Sequence, residues 1–390
     1  MIPATGLVRL ALVAALALSA RTAAEAKPFM IVGNDEKVTW DDAGQVVLSP
    51  PGKDTVSIVD LADPDHPRIA TTLPLENSVI GPPTNMAITP SGALALVANS
   101  VDNVTDNGAL KQVSADQLYV IDLTQNPAKL VSTLTVGKQP SGLDISPAGD
   151  LALIANRDGK SVTVLSIKGT EVKITDTIGF PDSVAHVAFT PDGRHALAVR
   201  NLANLVSVID IGADGKASYN KLDLPTGITP YNLVVTPNGR LALTIDQGGA
   251  GCDGNVDAAT VIDLKAEPPH VVDRVMVGDC PEGMAMSPKG DVAIAVLIGG
   301  SNSAKSKWFY HKNGMLAVLA IHGDKVTKIK EIPVGGLPEA IAFSPDGGTL
   351  YVGNFFDGDF TILKVKGTEI TDTGRKLKMP GHPAAARAGP

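Results

Sequence analysis

The side chains best suited to chemistry are scattered along the whole chain. Glu282 and Glu339 can hold or release a proton, and His186 can act as a general base near neutral pH. With the amide oxygens of Asn85 and Asn232, the two carboxylates would make a set of hard oxygen ligands that suits Ca²⁺ or Mg²⁺. These residues lie so far apart in the sequence that only the fold can bring them together.

A recurring apolar segment that ends in Ser/Thr-Pro-x-Gly indicates which elements would position them. Each copy is followed by two strands with alternating apolar residues and then by a weaker, more polar strand. Four strands in each repeated unit are typical of a propeller blade. Six copies of the segment occur: MAITPSG (86–92), LDISPAG (143–149), VAFTPDG (187–193), LVVTPNG (233–239), MAMSPKG (284–290) and IAFSPDG (341–347).

The two ends of the chain supply a seventh unit. Residues 29–34, 55–60 and 68–73 match the second, third and fourth strands of the repeat, but no first strand precedes them. Residues 382–390 match that missing strand, and Pro390 falls where the turn proline of the motif belongs. We therefore predict an all-β chain: a single seven-bladed β-propeller over residues 27–390, with four antiparallel strands per blade. The C-terminal strand closes blade 1 and removes the open sheet edges.

The N-terminal segment and the overall charge predict where the protein acts. Residues 1–26 contain a short apolar run followed by Ala24-Glu25-Ala26, a pattern typical of a cleaved signal peptide. No other apolar run is long enough to cross a bilayer, so we expect a periplasmic or secreted protein without membrane insertion. A formal net charge of −8 argues against nucleic acid as a partner. We expect a monomer.

Propeller geometry indicates which face should carry the function. In each blade the strands run from the innermost, A, to the outermost, D. The A–B turns are uniformly short, whereas four B–C connections are long: 35–54, 100–116, 247–258 and 298–313. Because long insertions cluster on one face, we expect the face of the B–C and D–A loops to bind a small ligand or a periplasmic protein. Cys252 and Cys280 both belong to this face, at neighbouring positions, and we expect them to form a disulfide.

The A strands begin at this same face, so their first residues should converge around the central channel. Strand B ends add two residues, Arg200 and Asp246, that replace the asparagine of the repeat. The insertion of blade 6 adds aromatic side chains that could form a lid or an anchor for a partner. The candidate ligand-binding residues are Thr84, Asn85, Ser141, Tyr231, Asn232, Asp246, Trp308, Tyr310, His311 and His382.

Two strand pairs carry a resemblance to a known family. LIAN (153–156) with SVTVL (161–165), and YVGN (351–354) with FTIL (360–363), resemble the YVTN-repeat propellers, which are related to seven-bladed lactonase-like proteins. The resemblance implies lactone hydrolysis as one function. His186, Glu282 or Glu339 would then activate water, while Arg200 or Asn232 polarises the lactone carbonyl.

Several hypotheses stay open at this point. The leading one is ligand or partner binding at the B–C/D–A face. The alternative is a lactone hydrolase, assisted by Ca²⁺ or Mg²⁺ if Asn85, Asn232, Glu282 and Glu339 hold a metal. The third is a structural or surface-layer role. The same side chains could also do no more than solvate a water-filled channel.

Overall fold

The computed structural model describes residues 27–249 and 251–390, and the predicted signal peptide at 1–26 lies outside them. Every regular element within these ranges is a β-strand. The strands form seven four-stranded antiparallel sheets and one small hairpin, which confirms the predicted propeller. None of the described residues belongs to a helix long and apolar enough to cross a membrane.

The first three blades and the hairpin use the strands β1 (Phe29–Asp35), β2 (Val38–Trp40), β3 (Val46–Leu48), β4 (Thr55–Asp60), β5 (Arg68–Leu73), β6 (Met86–Ile88), β7 (Leu94–Asp106), β8 (Ala109–Asp122), β9 (Lys129–Thr135), β10 (Pro140–Ile145), β11 (Leu151–Asn156), β12 (Ser161–Lys168) and β13 (Glu171–Gly179). Blades 4 and 5 use β14 (His186–Phe189), β15 (His195–Arg200), β16 (Leu205–Ile211), β17 (Ala217–Pro225), β18 (Pro230–Val235), β19 (Leu241–Asp246), β20 (Asp257–Asp263) and β21 (His270–Gly278). The remaining strands are β22 (Pro281–Met286), β23 (Val292–Leu297), β24 (Met315–His322), β25 (Lys325–Pro333), β26 (Pro338–Phe343), β27 (Thr349–Asn354), β28 (Asp359–Lys366), β29 (Glu369–Lys378) and β30 (His382–Gly389).

The C-terminal strand closes the ring as predicted. Blade 1 has the strand order β30-β1-β4-β5, so its innermost strand comes from the end of the chain. The β30–β1 register runs from Phe29 opposite Gly389 to Asp35 opposite His382. This pairing covers what would otherwise be an exposed strand edge.

The repeated Ser/Thr-Pro-x-Gly segment forms the A–B turn through local hydrogen bonds. In blade 4 the hydroxyl of Thr190 accepts a hydrogen bond from the amide of His195 at 3.2 Å. Gly193 completes the turn at a φ of 67°, a left-handed conformation that glycine adopts without strain. The motif therefore stabilises the A–B turn, and it indicates the fold rather than the function.

The long B–C connections fold into a cap over one end of the channel. The β2–β3 hairpin packs beside the extended β7–β8 hairpin, where the side-chain amide of Asn103 donates to the carbonyl of Lys37 at 2.7 Å. The blade 6 insertion reaches the blade 1 insertion, and the amide of Lys305 donates to the carbonyl of Asp42 at 3.1 Å. The cap has its own buried apolar cluster: Val38, Val79, Cys280, Ile298, Leu337, Phe355 and Ala384.

The predicted disulfide is present in this cap. Cys252 and Cys280 are bonded, with their Cα atoms 4.9 Å apart and a separation of 28 positions in sequence. The bond fastens the glycine-rich loop of blade 5 to the link that leads into blade 6.

Candidate functional site

The central channel is plugged partway along its length by a buried histidine. Nε2 of His186 donates to the carbonyl of Leu233 at 3.1 Å, and Nδ1 accepts from the hydroxyl of Thr84 at 2.9 Å. Gly142 makes this contact possible, because a β-carbon there would lie 2.2 Å from Nδ1 of His186. Burial and the charge of Arg387 lower the pKa of His186 to about 3. The imidazole is therefore neutral at physiological pH, and both its nitrogens are engaged.

A polar cluster lies between the plug and the cap. It contains Tyr231, Glu282 and Glu339, whose side chains are buried, and the guanidinium of Arg157, which lies 5.6 Å from the Tyr231 ring centroid. Burial raises the pKa of Glu282 to about 8, against the attraction of Arg157. Burial and the charge of Glu282 hold the pKa of Glu339 well above its usual range. The structure thus brings together three residues that sequence reasoning had placed at one ring.

The cap closes this end of the channel. The link from blade 1 to blade 2 crosses the axis, so that Pro83 lies against Gly283 of blade 6; a β-carbon on Gly283 would be 3.0 Å from the proline ring. Val79 of the same link belongs to the apolar cluster of the cap. The insertions therefore cover the channel at the face where we expected a ligand to enter.

The buried glutamates make stability depend on pH. Folded Glu282 keeps its proton up to about pH 8, whereas the unfolded residue releases it near 4.5. The folded state therefore binds the extra proton in this window, and the melting temperature should fall as the pH rises through it. Glu282→Gln keeps the side-chain size and removes the titration, so its melting temperature should change less over this window than that of the wild type.

Glu369→Gln, at an exposed position of β29, is the matched control and should follow the wild type at each pH. Equal pH dependence in Glu282→Gln and the wild type would contradict the assignment.

The opposite end of the channel contains an open cavity of about 420 Å³. The motif turns surround its mouth, with Pro191, Pro288 and Pro345 among the lining residues. Phe189 and Phe343 contribute apolar walls, and His186 lies at the inner end. We call this space the channel cavity.

Two half-buried charged residues, Asp144 and Arg387, line the channel cavity. Asp144 accepts hydrogen bonds from the amides of Phe189 at 2.8 Å and Ile145 at 2.9 Å. The guanidinium of Arg387 donates from Nε to the carbonyl of Met86 at 3.2 Å. Burial raises the pKa of Asp144 and lowers the pKa of Arg387, and each charge partly offsets this effect on the other. Within the described ranges, no carboxylate forms a direct ion pair with Arg387.

Sequence reasoning missed Asp144, and it placed Arg157 at the rim and Arg387 near the channel ring without including either among the candidate site residues. Asp144 and Arg387 occupy equivalent positions in their A strands, and a departure from the repeat could have revealed them. The other five blades have small or branched apolar residues there: Ala87, Ala188, Val234, Ala285 and Ala342. Arg157 follows the asparagine at the end of a strand B, and this position placed it at the rim of the same face.

Arg200 and Asp246 form ion pairs and hydrogen bonds within their own blades. Arg200 pairs with Asp182 and, at 3.0 Å, with Asp223. Asp246 accepts hydrogen bonds from the hydroxyls of Thr244 at 2.7 Å and Thr260 at 2.6 Å. Neither lines the channel cavity.

The aromatic candidates and His382 lie in or beneath the cap. Nδ1 of His382 donates to the carbonyl of Phe355 at 2.5 Å, and its ring stacks on Phe355. Trp308 is 81% exposed, and Tyr310 lines a small pocket between insertions. His311 is exposed in the same insertion. The structure therefore does not bring these residues to the channel axis.

The amide oxygens proposed as metal ligands are buried. Nδ2 of Asn85 donates to the carbonyl of Ala98 at 2.9 Å, and Nδ2 of Asn232 donates to that of Met284 at 3.4 Å. Oδ1 of each residue and Oε2 of Glu339 accept no hydrogen bond from the part of the chain that the structure describes. Across that same part, no three His, Cys, Asp or Glu side chains are grouped to hold a metal ion. A calcium or magnesium site would therefore depend on the asparagine oxygens.

Comparison with known proteins gives structural neighbours only. No family model and no curated protein sequence matches the chain. A proposed 6-phosphogluconolactonase from Bacteroides fragilis is 16% identical, with a TM-score of 0.70 over 95% of this chain and 99% of its own. The periplasmic gluconolactonase of Pseudomonas aeruginosa is 16% identical, with a TM-score of 0.64 over 93% and 99%. The hydrazine synthase of Kuenenia stuttgartiensis is 16% identical, with a TM-score of 0.61 over 80% and 90%. These similarities support the propeller fold, and two of the three neighbours are lactonase-like proteins. At 16% identity they do not show the activity of this chain.

Proposed function

We propose that this chain is an extracytoplasmic propeller that binds a small organic anion in the channel cavity. The observation that carries the proposal is the guanidinium of Arg387, which faces the cavity with one hydrogen bond and no ion pair among the described residues. A guanidinium can bind a carboxylate or phosphate through two parallel hydrogen bonds. A bound anion would therefore form the ion pair that Arg387 lacks among the described residues.

The size and lining of the cavity suit a small molecule. Its volume of about 420 Å³ falls within the range common for ligand sites. Phe189, Met286 and Phe343 form apolar walls, while Asp144 could accept a hydrogen bond from a hydroxyl group of the ligand. The cavity thus favours a hydroxy acid or a similar anion with an apolar face.

Removal of the guanidinium should weaken anion binding. Gluconate, lactate and phosphate are the first probes, each titrated by calorimetry into the wild type and into Arg387→Met. We expect Arg387→Met to weaken binding at least about tenfold, because one charge-assisted pair contributes about 1.5–3 kcal/mol. Asp144→Asn should strengthen binding of the same anion, since it removes the negative charge beside it.

Arg375→Met, on the exposed strand β29, is the matched control and should bind as the wild type does. Weaker binding by Asp144→Asn, or unchanged binding by Arg387→Met, would refute the proposal.

Lactone hydrolysis in the same cavity is the second candidate. The lactonase-like neighbours favour it, and so does a carboxyl group beside a guanidinium. Asp144 would take a proton from water, the resulting hydroxide would add to the carbonyl carbon, and Arg387 would stabilise the oxyanion. The ring C–O bond then breaks, and the leaving oxygen receives the proton from Asp144. Acid release from a lactone panel, lost in Asp144→Asn while gluconate still binds, would identify this activity.

The disulfide in the cap accords with an oxidising compartment. A protein partner at the B–C/D–A face, or a surface-layer role, remains a further proposal. Self-association in analytical ultracentrifugation would favour the surface-layer role.

A further inference from the structure

Two insertions and the short β27–β28 turn surround a second pocket on the face opposite the channel cavity. Its volume is about 190 Å³. Trp40 comes from the blade 1 insertion, Tyr310 from the blade 6 insertion and Phe356 from the β27–β28 connection. All three segments are B–C connections outside the repeated strands. We call this space the insertion pocket.

Aromatic packing and a backbone hydrogen bond hold the walls of the insertion pocket in place. The Trp40 ring meets Phe355 and Phe356 edge to face, with centroid distances of 6.0 and 6.1 Å. On the other side, the backbone amide of Lys305 donates to the carbonyl of Asp42 at 3.1 Å and joins the two insertions, while the ion pair between their exposed side chains adds little. The pocket is therefore preformed, which reduces the entropy lost on binding.

The polar groups around the insertion pocket include both hydrogen-bond donors and hydrogen-bond acceptors. Asp41 and Asp357 each use one carboxylate oxygen to accept backbone amides at about 2.9 Å, which leaves the other oxygen available. Lys312 is an exposed residue of the lining, and it makes no ion pair within the residues described. Carboxylates only accept hydrogen bonds and ammonium groups only donate them, whereas a hydroxyl group does both.

This combination selects a neutral polyhydroxylated ring. The lining contains three aspartates and two lysines, so it carries little net charge to select a charged ligand, whereas hydroxyl groups can pair with either kind of side chain. The aromatic faces can cover the apolar C–H face of such a ring. The volume lies below the range common for drug-sized ligands, so a single ring fits better than a larger ligand. We propose that the insertion pocket binds a neutral monosaccharide in its pyranose form, at a site separate from the channel cavity.

The chain offers a direct reporter for this site. It contains two tryptophans, Trp40 and the exposed Trp308. In the variant Trp308→Phe, all tryptophan fluorescence comes from Trp40 in the pocket wall. Titration with glucose, galactose, mannose or N-acetylglucosamine should change its emission with a dissociation constant on the order of 1 mM. Choline and gluconate, as charged probes, should leave it unchanged.

Two lysines of the same insertion provide a matched pair. In the Trp308→Phe background, Lys312→Met removes a donor that lines the pocket, whereas Lys307→Met removes an exposed lysine outside it. We expect Lys312→Met to weaken sugar binding at least about fivefold, the loss of one hydrogen bond to a charged group, and Lys307→Met to bind as its parent does.

Each result decides the proposal. A saturable response to at least one sugar that Lys312→Met weakens supports it. No response to any sugar, a response to choline or gluconate instead, or equal binding by both lysine variants overturns it. Arg387→Met, which tests the channel cavity, should leave the Trp40 response intact, so that the two sites can be accepted or rejected independently.

Discussion

Deletion of residues 382–390 is expected to abolish cooperative folding of the whole propeller. These residues form β30, which pairs with β1 along seven residue positions. They bury Ala384, Ala385 and Ala386 and also pack against β6 and β26 of the neighbouring blades. Without them blade 1 loses its inner strand, and the ring opens at two blade interfaces.

The expected loss exceeds about 5 kcal/mol, which is comparable to the whole stability of many domains. Circular dichroism during thermal unfolding is the measurement, and we expect no cooperative transition in the truncated protein. Deletion of the exposed Pro390 alone is the control and should melt close to the full chain. A truncation of all nine residues that melts within about 2 °C of the full chain would disprove the closure.

Lys37→Met is expected to cause the largest loss of stability among single substitutions of charged residues. The Lys37 side chain is fully buried, and its ammonium contacts Asp54 and the carbonyl of Asn77. The Lys37 ammonium also lies 3.2 Å from the carboxylate of Glu76. Its positive charge stabilises the charged form of Asp35. The carboxylate of Asp35 in turn accepts a hydrogen bond from the backbone amide of Val79 at 2.8 Å. This network ties the blade 1 insertion to the link that crosses the channel.

Methionine matches the length of lysine but leaves the buried carboxylates without a counterion. Breaking a buried pair in this way costs about 3–5 kcal/mol. Urea unfolding measures the change, with Lys53→Met as the control, because Lys53 is an exposed residue of the same insertion. A loss below about 1 kcal/mol in Lys37→Met would show that the network contributes little. Asp54→Asn added to Lys37→Met should restore part of the stability, since one uncompensated charge is removed.

The two ends of the channel differ in a way that bears on function. At the B–C/D–A face, the cap encloses Tyr231, Glu282 and Glu339. At the A–B face, the short turns leave the channel cavity open with Arg387 inside. A ligand from solvent therefore meets Arg387 and Asp144 without any rearrangement, whereas access to the glutamates requires the cap to move. We place the proposed anion site at the open end for this reason.

The architecture was predictable because its determinants are local. A proline and a glycine at fixed positions specify each A–B turn, and alternation with a period of two specifies each strand. The C-terminal strand could be assigned to blade 1 because Pro390 falls at the turn position of the repeat. The pairing of Cys252 with Cys280 followed from the same geometry, since adjacent loops on one face bring the two thiols together.

The grouping of Tyr231, Glu282 and Glu339 at one end of the channel was also predictable, because equivalent positions of a repeat lie at equal depth. Which end of the channel is open could not be predicted, because it depends on tertiary packing. The insertions carry no repeat, so the path of residues 79–83 across the axis depends on non-local packing with Gly283 and with the cap. The same packing buries Glu282 and shifts its pKa to about 8. Local patterns in the sequence specify the ring and the depth of the repeated positions around it, whereas long-range contacts between irregular segments govern which side chains a ligand can reach.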